Sequence, residues 1–220
     1  MLNPPAVRVT AGFSRSIVMA MAFADITFTP SVKAAQNLYG SREKNRRFEL
    51  TDEARNVLTP QETGFIAQRD SFYQATVSET GWPYVQHRGG PVGFLKVLDN
   101  RTLGFADFRG NVQYLSVGNL NANNRISLFL MDYANRRRLK VWGTVRIAHA
   151  HDEPELLVQL EVPSYRARVE RGIVIHVEAY DWNCPQHITP RYSQAEVDQL
   201  IAPLLAEIEQ LKTRSLNDRT

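Results

Sequence analysis

Cysteine is nearly missing from this chain: among its 220 residues only Cys184 is present. A lone thiol excludes an internal disulfide framework and a cysteine-built zinc site, and it fits a reducing compartment such as the cytoplasm. An excess of charge of one sign is missing too. Lys and Arg number 26 against 23 Asp and Glu, a formal charge of +3. That is too little to hold a polyanionic polymer, so no nucleic-acid partner is expected, while a small anionic ligand is compatible. Long apolar runs are also lacking. Nothing approaches the about 20 residues that span a bilayer, so no membrane partner is expected. What is present, 43% hydrophobic and 22% charged residues, suits a soluble chain with one β-rich core and appended helices.

Near the start, Arg8 and Arg15 precede a short apolar run from Ile17 to Ala24, a weak echo of a secretory leader. Asp25 follows at once, and residues 1–21 read better as a disordered or non-native extension ahead of a start at Met19 or Met21.

Thr29-Pro30 sets the cap and first turn of a helix running to about Tyr39, with Gly40 ending it. Ser41 to Arg47 reads as a loop or short turn, and Thr59-Pro60-Gln61-Glu62 repeats the cap signal for a helix reaching about Arg69. The period then changes to two. Ser71–Ser78 and Trp82–Arg88 form a hairpin around Thr80-Gly81. Strands follow at Phe94–Leu98, Leu103–Phe108, Ile126–Asp132, Arg138–Ala148 and Gly172–Ala179. A helix is expected from Asn111 to Ala122 and another from Asp152 or Glu153 to Leu160. The fold class is therefore mainly β with flanking helices (α+β), six or so antiparallel strands whose edges are best protected by closing into a small barrel. Ser193 and Glu196 form a capping box for a terminal helix, residues 193–220 with its tail, whose apolar residues from Val197 to Leu211 recur at helical spacing.

Three clusters carry polar chemistry. In His87-Arg88-Gly89-Gly90 a strand ends in paired glycines beside a guanidinium. Glycine lets the main chain approach a flat ligand and Arg can fork two hydrogen bonds to a phosphate, although such a bend is more often an ordinary loop. In Arg109-Gly110-Asn111-Val112-Gln113, followed by Ser116 and Asn119, the turn could open a helix whose free N–H groups hold a phosphate, or simply cap it. Arg109 at a helix start would be unfavourable without an anion nearby. The run Arg136-Arg137-Arg138 with Lys140 reads by default as a charge-protected edge strand.

Taken in order, HRGGPxGFLKVLD, FADFRGN, SVGNL, RRLKVWG and YDWNCPQHITPR resemble the pyridoxamine 5′-phosphate oxidase-like FMN-binding family from about Ala22 to Arg191. The resemblance implies a split β-barrel over residues 22–192 that forms a homodimer with an FMN site at each side of the interface. It implies FMN contacts from Arg88, Gly89, Gly90 and Lys96 along one strand, and from Asn111, Gln113, Ser116 and Asn119 in place of the family's Ser-Arg-Lys turn. Arg138 stands where members carry a Gln, at the pyrimidine end of the flavin. Trp182 and Arg191 correspond to the residues that the second subunit contributes. Where true oxidases have Arg-x-His before that last Arg, this chain has His187-Ile188-Thr189, so oxidation of pyridoxamine phosphate itself is not expected.

The expected activity is hydride exchange between FMN and a small organic substrate, with His87 and His187 as proton donors or acceptors. A flavin carrier or sensor without turnover, a haem or deazaflavin site, and a purely structural dimer are the alternatives. Cys184 is either a redox-active group facing the flavin or a small buried filler, His176 is structural, and His149 with His151 alone makes no metal site.

Overall fold

The structure is a computed structural model that describes residues 22–51, 53–182 and 185–217, the side chains of 215 and 216 excepted. The expected extension over residues 1–21 and the question of Cys184 lie outside the described residues. The chain divides into two compact units, one ending at Ala54 and one starting at Arg55.

In the first unit, α1 (Ala22–Thr27), α2 (Pro30–Leu38) and α3 (Arg42–Arg46) surround an aromatic cluster. Phe23 meets Phe28 and Phe48 edge-on at centroid distances of 5.8 and 5.3 Å. Thr29 caps α2 as its sequence indicates, its hydroxyl accepting from the Val32 amide. The stretch from Ser41 to Arg47 winds into a single helical turn, fixed by Glu49, which pairs with both Lys33 and Arg42.

The second unit begins with α4 (Pro60–Ala67) and holds seven strands: β1 (Ser71–Val77), β2 (Pro83–Gly89), β3 (Lys96–Asp99), β4 (Thr102–Phe108), β5 (Arg125–Asp132), β6 (Arg137–Ala148) and β7 (Val169–Trp182). They form one antiparallel sheet in the order β2-β1-β5-β6-β7-β4-β3. The expectation of six strands is corrected to seven, and β7 runs well past the Gly172–Ala179 segment because it pairs with β6 on one side and β4 on the other. Helix α5 (Leu115–Ala122) links β4 to β5, α6 (Pro154–Leu160) links β6 to β7, and α7 (Gln194–Asn217) closes the chain. The inward side chains of alternate strand positions make the core, with Phe72 stacked on Phe94 and edge-on to Phe105. Leu128, Leu130, Leu139, Val141, Ile173 and Ile175 fill the rest.

The capping box of α4 joins this core. Glu62 accepts from the Thr59 amide at 3.0 Å, and with its other oxygen from the Trp182 indole at 2.6 Å. Burial alone would push the Glu62 carboxyl up. The hydrogen bonds from the Thr59 hydroxyl, the Trp182 indole and the Thr59 amide outweigh it and hold the group below its ordinary 4.5. A depressed carboxyl stabilises the fold above its unfolded value and loses that contribution as pH falls through its folded one. The urea midpoint should therefore drop on acidification below about pH 4.5, and Glu62→Gln should flatten that drop. Glu49 and Asp99, both held low by their hydrogen bonds, act in the same sense and leave a residual slope.

Candidate functional site

Strand alternation on β2 decides what can meet at the site. Tyr84, Gln86 and Arg88 point to one side of the hairpin, while Val85, His87 and Gly89 point to the other. On the first side a narrow cleft of about 40 Å³ opens between β2, the end of β4 and the segment 110–117. The Arg88 guanidinium donates to Asp107 at 2.7 Å, and Arg171 approaches the other oxygen of Asp107 at 3.5 Å. Burial pushes the Asp107 carboxyl above its ordinary range, and the charges of Arg88 and Arg171 pull against that push. Glu170 pairs with Arg171 at 2.6 Å and accepts from the Tyr114 hydroxyl at 3.1 Å, with Arg109 at 3.9 Å. Three guanidiniums thus surround two carboxylates, and of the five groups Arg88, Asp107 and Glu170 line the cleft itself.

The segment 110–114 is not helical. Val112 and Tyr114 take left-handed φ angles of 56° and 54°, a conformation that costs a side-chain-bearing residue of the order of 1 kcal/mol or more and is concentrated at ligand sites. The Asn111 side-chain Oδ1 accepts from the Gln113 main-chain amide at 3.2 Å and fixes the turn. The expected helix start at Asn111 is therefore corrected to Leu115. Arg109 sits outside α5, and its pairing with Glu170 replaces the argument that a cation at the helix start needs an anion there. Behind the turn lies a polar floor in which Ser116 donates to Gln86 at 2.7 Å and Asn119 to Thr76 at 3.0 Å.

Of the residues singled out in the sequence, Arg88, Asn111, Gln113 and Ser116 line this one cleft. Asn119 and Gln113 border a shallower depression next to it. His87, Arg138 and Arg191 gather on the opposite face of the sheet. There the register runs His87, Tyr73, Phe129, Lys140, Asp181 across five strands. Arg138 lies over Phe129 at 5.4 Å, its buried Nε without a hydrogen-bond partner, and Arg191 over Tyr133 at 5.3 Å. Burial and the neighbouring Tyr73 hydroxyl push the Tyr133 hydroxyl up.

Other residues stand apart. The Lys96 ammonium donates to the carbonyls of Gln159 and Glu161 at the end of α6. Trp182 packs edge-on against Phe65 at 4.8 Å with its indole N–H on Glu62. His187 is exposed on a turn at φ 63°. At Gly90 a Cβ would fall 2.7 Å from the Phe94 ring, so the close neighbour that excludes a side chain is core packing; a Cβ on Gly89 would meet His87 at 3.2 Å.

The sequence reading missed Asp107, Glu170, Arg171, Tyr114 and Gln86. The one signal was a carboxylate in the otherwise apolar run Leu103 to Phe108, which implies a buried charge with a partner.

Compared with known protein families, residues 58–182 match the profile described as pyridoxamine 5′-phosphate oxidase. The chain belongs to that family. The matched segment runs from the residue before the α4 cap to the end of β7 and so contains the cleft and the strands of the opposite sheet face, while Arg191 lies beyond it. No curated protein sequence matches the chain. Among solved structures, HupZ of Group A Streptococcus is 18% identical over 61% of this chain and 100% of its own, with a TM-score of 0.47. A putative pyridoxamine 5′-phosphate oxidase of Lactobacillus delbrueckii is 17% identical over 57% and 94%, TM-score 0.46. An FMN-binding protein of Syntrophomonas wolfei is 14% identical over 70% and 95%, TM-score 0.40.

Proposed function

We propose that the chain binds FMN between two copies of itself, in a split barrel, and serves as an oxidoreductase for a small organic substrate. The observation that carries this reading is the cleft at the end of β4. It combines the left-handed turn at Val112 and Tyr114 with Arg88, whose buried Nε has no hydrogen-bond partner. These features suit a phosphate: guanidiniums supply charge-assisted donors, and the first amides of α5, capped by no side chain, supply dipolar ones.

On this reading Arg88, Asn111, Gln113 and Ser116 hold the phosphate end. Asp107 and Glu170 do not touch it; they hold the Arg88 and Arg171 guanidiniums in place. The aromatic and basic face formed by Tyr73, Phe129, Arg138 and Arg191 lies across the sheet from the cleft of its own chain. It is the surface against which the second copy would lie, and it would meet the ring of an FMN whose phosphate sits in that second copy's cleft. Arg138 there favours electron density at the edge of a bound ring, and His87 is positioned to move a proton. FMN when bound supplies the hydride acceptor or donor.

Titration with FMN and with riboflavin tests the reading. Because the cleft grips a phosphate, FMN should bind about 30-fold or more tightly than riboflavin, the worth of charge-assisted contacts to one phosphate. Absence of both a flavin absorbance band and flavin-dependent thermal stabilisation would overturn the proposal, as would a haem or deazaflavin spectrum in its place. Anaerobic addition of nicotinamide donors then separates an oxidoreductase, which bleaches the flavin band, from a carrier, which does not.

A further inference from the structure

Helix α7 presents an apolar stripe that is uncovered among the described residues. Val197, Ile201, Leu204, Ile208 and Leu211 are between 36% and 58% exposed, and Leu200 and Leu205 beside them are equally open. Except for Glu196, every described side chain of the helix is exposed. Helices in proteins draw most of their stability from packing an apolar face, and Pro203 inside this one removes a main-chain hydrogen bond. The stripe therefore calls for a partner, and its pattern says which.

The five residues Val197, Ile201, Leu204, Ile208 and Leu211 are spaced four, three, four and three apart, the alternation of a coiled-coil seam. In heptad terms Ile201 and Ile208 occupy the first core position, and Val197, Leu204 and Leu211 the second. Isoleucine at the first and leucine at the second is the arrangement that favours two parallel strands. The flanking positions complete the match. In a parallel, in-register pair, the residue before each first-position core residue faces the residue five places on in the other helix. Leu200 then meets Leu205 of the partner subunit, and Glu207 meets Lys212 of the partner subunit. An antiparallel pair would set like flanks together and lose that charge match. Among the described residues Lys212 pairs with Glu209, at 3.6 Å and largely exposed, a contact worth little. Pro203 falls on the outer side of the helix, away from the seam.

We propose that α7 pairs with α7 of a second copy as a parallel two-stranded coiled coil. This does not depend on the flavin reading, and α7 lies beyond the family segment, which ends at residue 182. A dimer joined there would also raise the effective concentration of any second contact between the same two copies.

The test uses the full-length protein with Cys184→Ser, to which Leu204→Cys or, separately, Leu211→Cys is added. Each of these seam positions faces its own copy across a parallel pair at disulfide distance, whereas Ala206→Cys points outward. Under mild oxidation, the seam cysteines should cross-link at least about ten times faster than the outward one. Glu207→Lys in the Leu204→Cys background should slow cross-linking, and adding Lys212→Glu should restore it. Equal rates at positions 204, 211 and 206, or a slowing that Lys212→Glu does not reverse, would overturn the proposal. A protein that is dimeric by light scattering and binds FMN, yet does not cross-link at 204 or 211, would refute the coiled coil and leave the flavin site standing.

Discussion

Arg88→Ala is expected to lower FMN affinity about a hundredfold, the upper end for charge-assisted phosphate contacts, and to destabilise the fold by about 3 kcal/mol as well. Both effects follow from the same 2.7 Å contact with Asp107. The side chains of Arg88 and Asp107 are only 16% and 6% exposed, so removing the guanidinium strands a carboxylate that water barely reaches. Arg171, at 3.5 Å from the other oxygen, remains and keeps the cost at the lower end of that for breaking a buried pair. Burial already holds the Asp107 carboxyl above its ordinary 3.8, and losing Arg88 raises it further. A raised carboxyl adds stability below its unfolded value and loses it as pH climbs through the folded one. The deficit of Arg88→Ala relative to the native protein should thus be small near pH 3.8 and grow toward neutrality. Arg88→Lys keeps the charge but not the fork, so it should recover most of the stability and little of the affinity. Urea midpoints across pH and an FMN titration read the two effects separately. Unchanged flavin affinity in Arg88→Ala would place the phosphate elsewhere.

What was legible in the sequence was local. Thr59 with Glu62 and Ser193 with Glu196 signal helix starts through side-chain reach alone, and both boxes form. The strands announce themselves by alternation, and the hairpin around Gly81 closes through Ser78 and Trp82. The start of α5 was not legible, because left-handed backbone at Val112 and Tyr114 leaves no mark when the residues are not glycine. The site was half legible. Arg88, Asn111, Gln113 and Ser116 do converge, but the carboxylates that complete the cleft, Asp107 and Glu170, and the Arg171 that pairs with both, come from β4 and β7, which only the sheet order makes neighbours. His87 and Arg88 illustrate the opposite error. They read as one cluster because they are adjacent, yet adjacency within a strand guarantees opposite faces, and the strand assignment already implied it.

The sharpest packing constraint in the sheet is at Gly143, and Gly143→Ala is expected to destabilise the protein by about 3 kcal/mol, the high end for overpacking. The register between β6 and β7 shifts between Trp142 and Gly143: Trp142 faces Ala179 while Gly143 faces Val177, so β7 carries one extra residue. That bulge turns main chain toward β6. A Cβ on Gly143 would lie 2.5 Å from the His176 carbonyl oxygen and 2.7 Å from Ile175 Cγ2. Neither can retreat easily. Thr102 and Leu103 of β4 face His176 and Ile175 from the far side, and Ile175 is fully buried in the core. Relief would require opening the longest pairing in the sheet, that between β6 and β7. Gly64→Ala is the matched control, since a Cβ there meets nothing within 4 Å and alanine is the better helix former inside α4, by about 0.5–1 kcal/mol. Thermal melts should show Gly143→Ala lowered by about 10 °C and Gly64→Ala unchanged or slightly raised. If the two variants melt together, β7 yields at its bulge, and the rigidity attributed here to the β6–β7 pairing is not present.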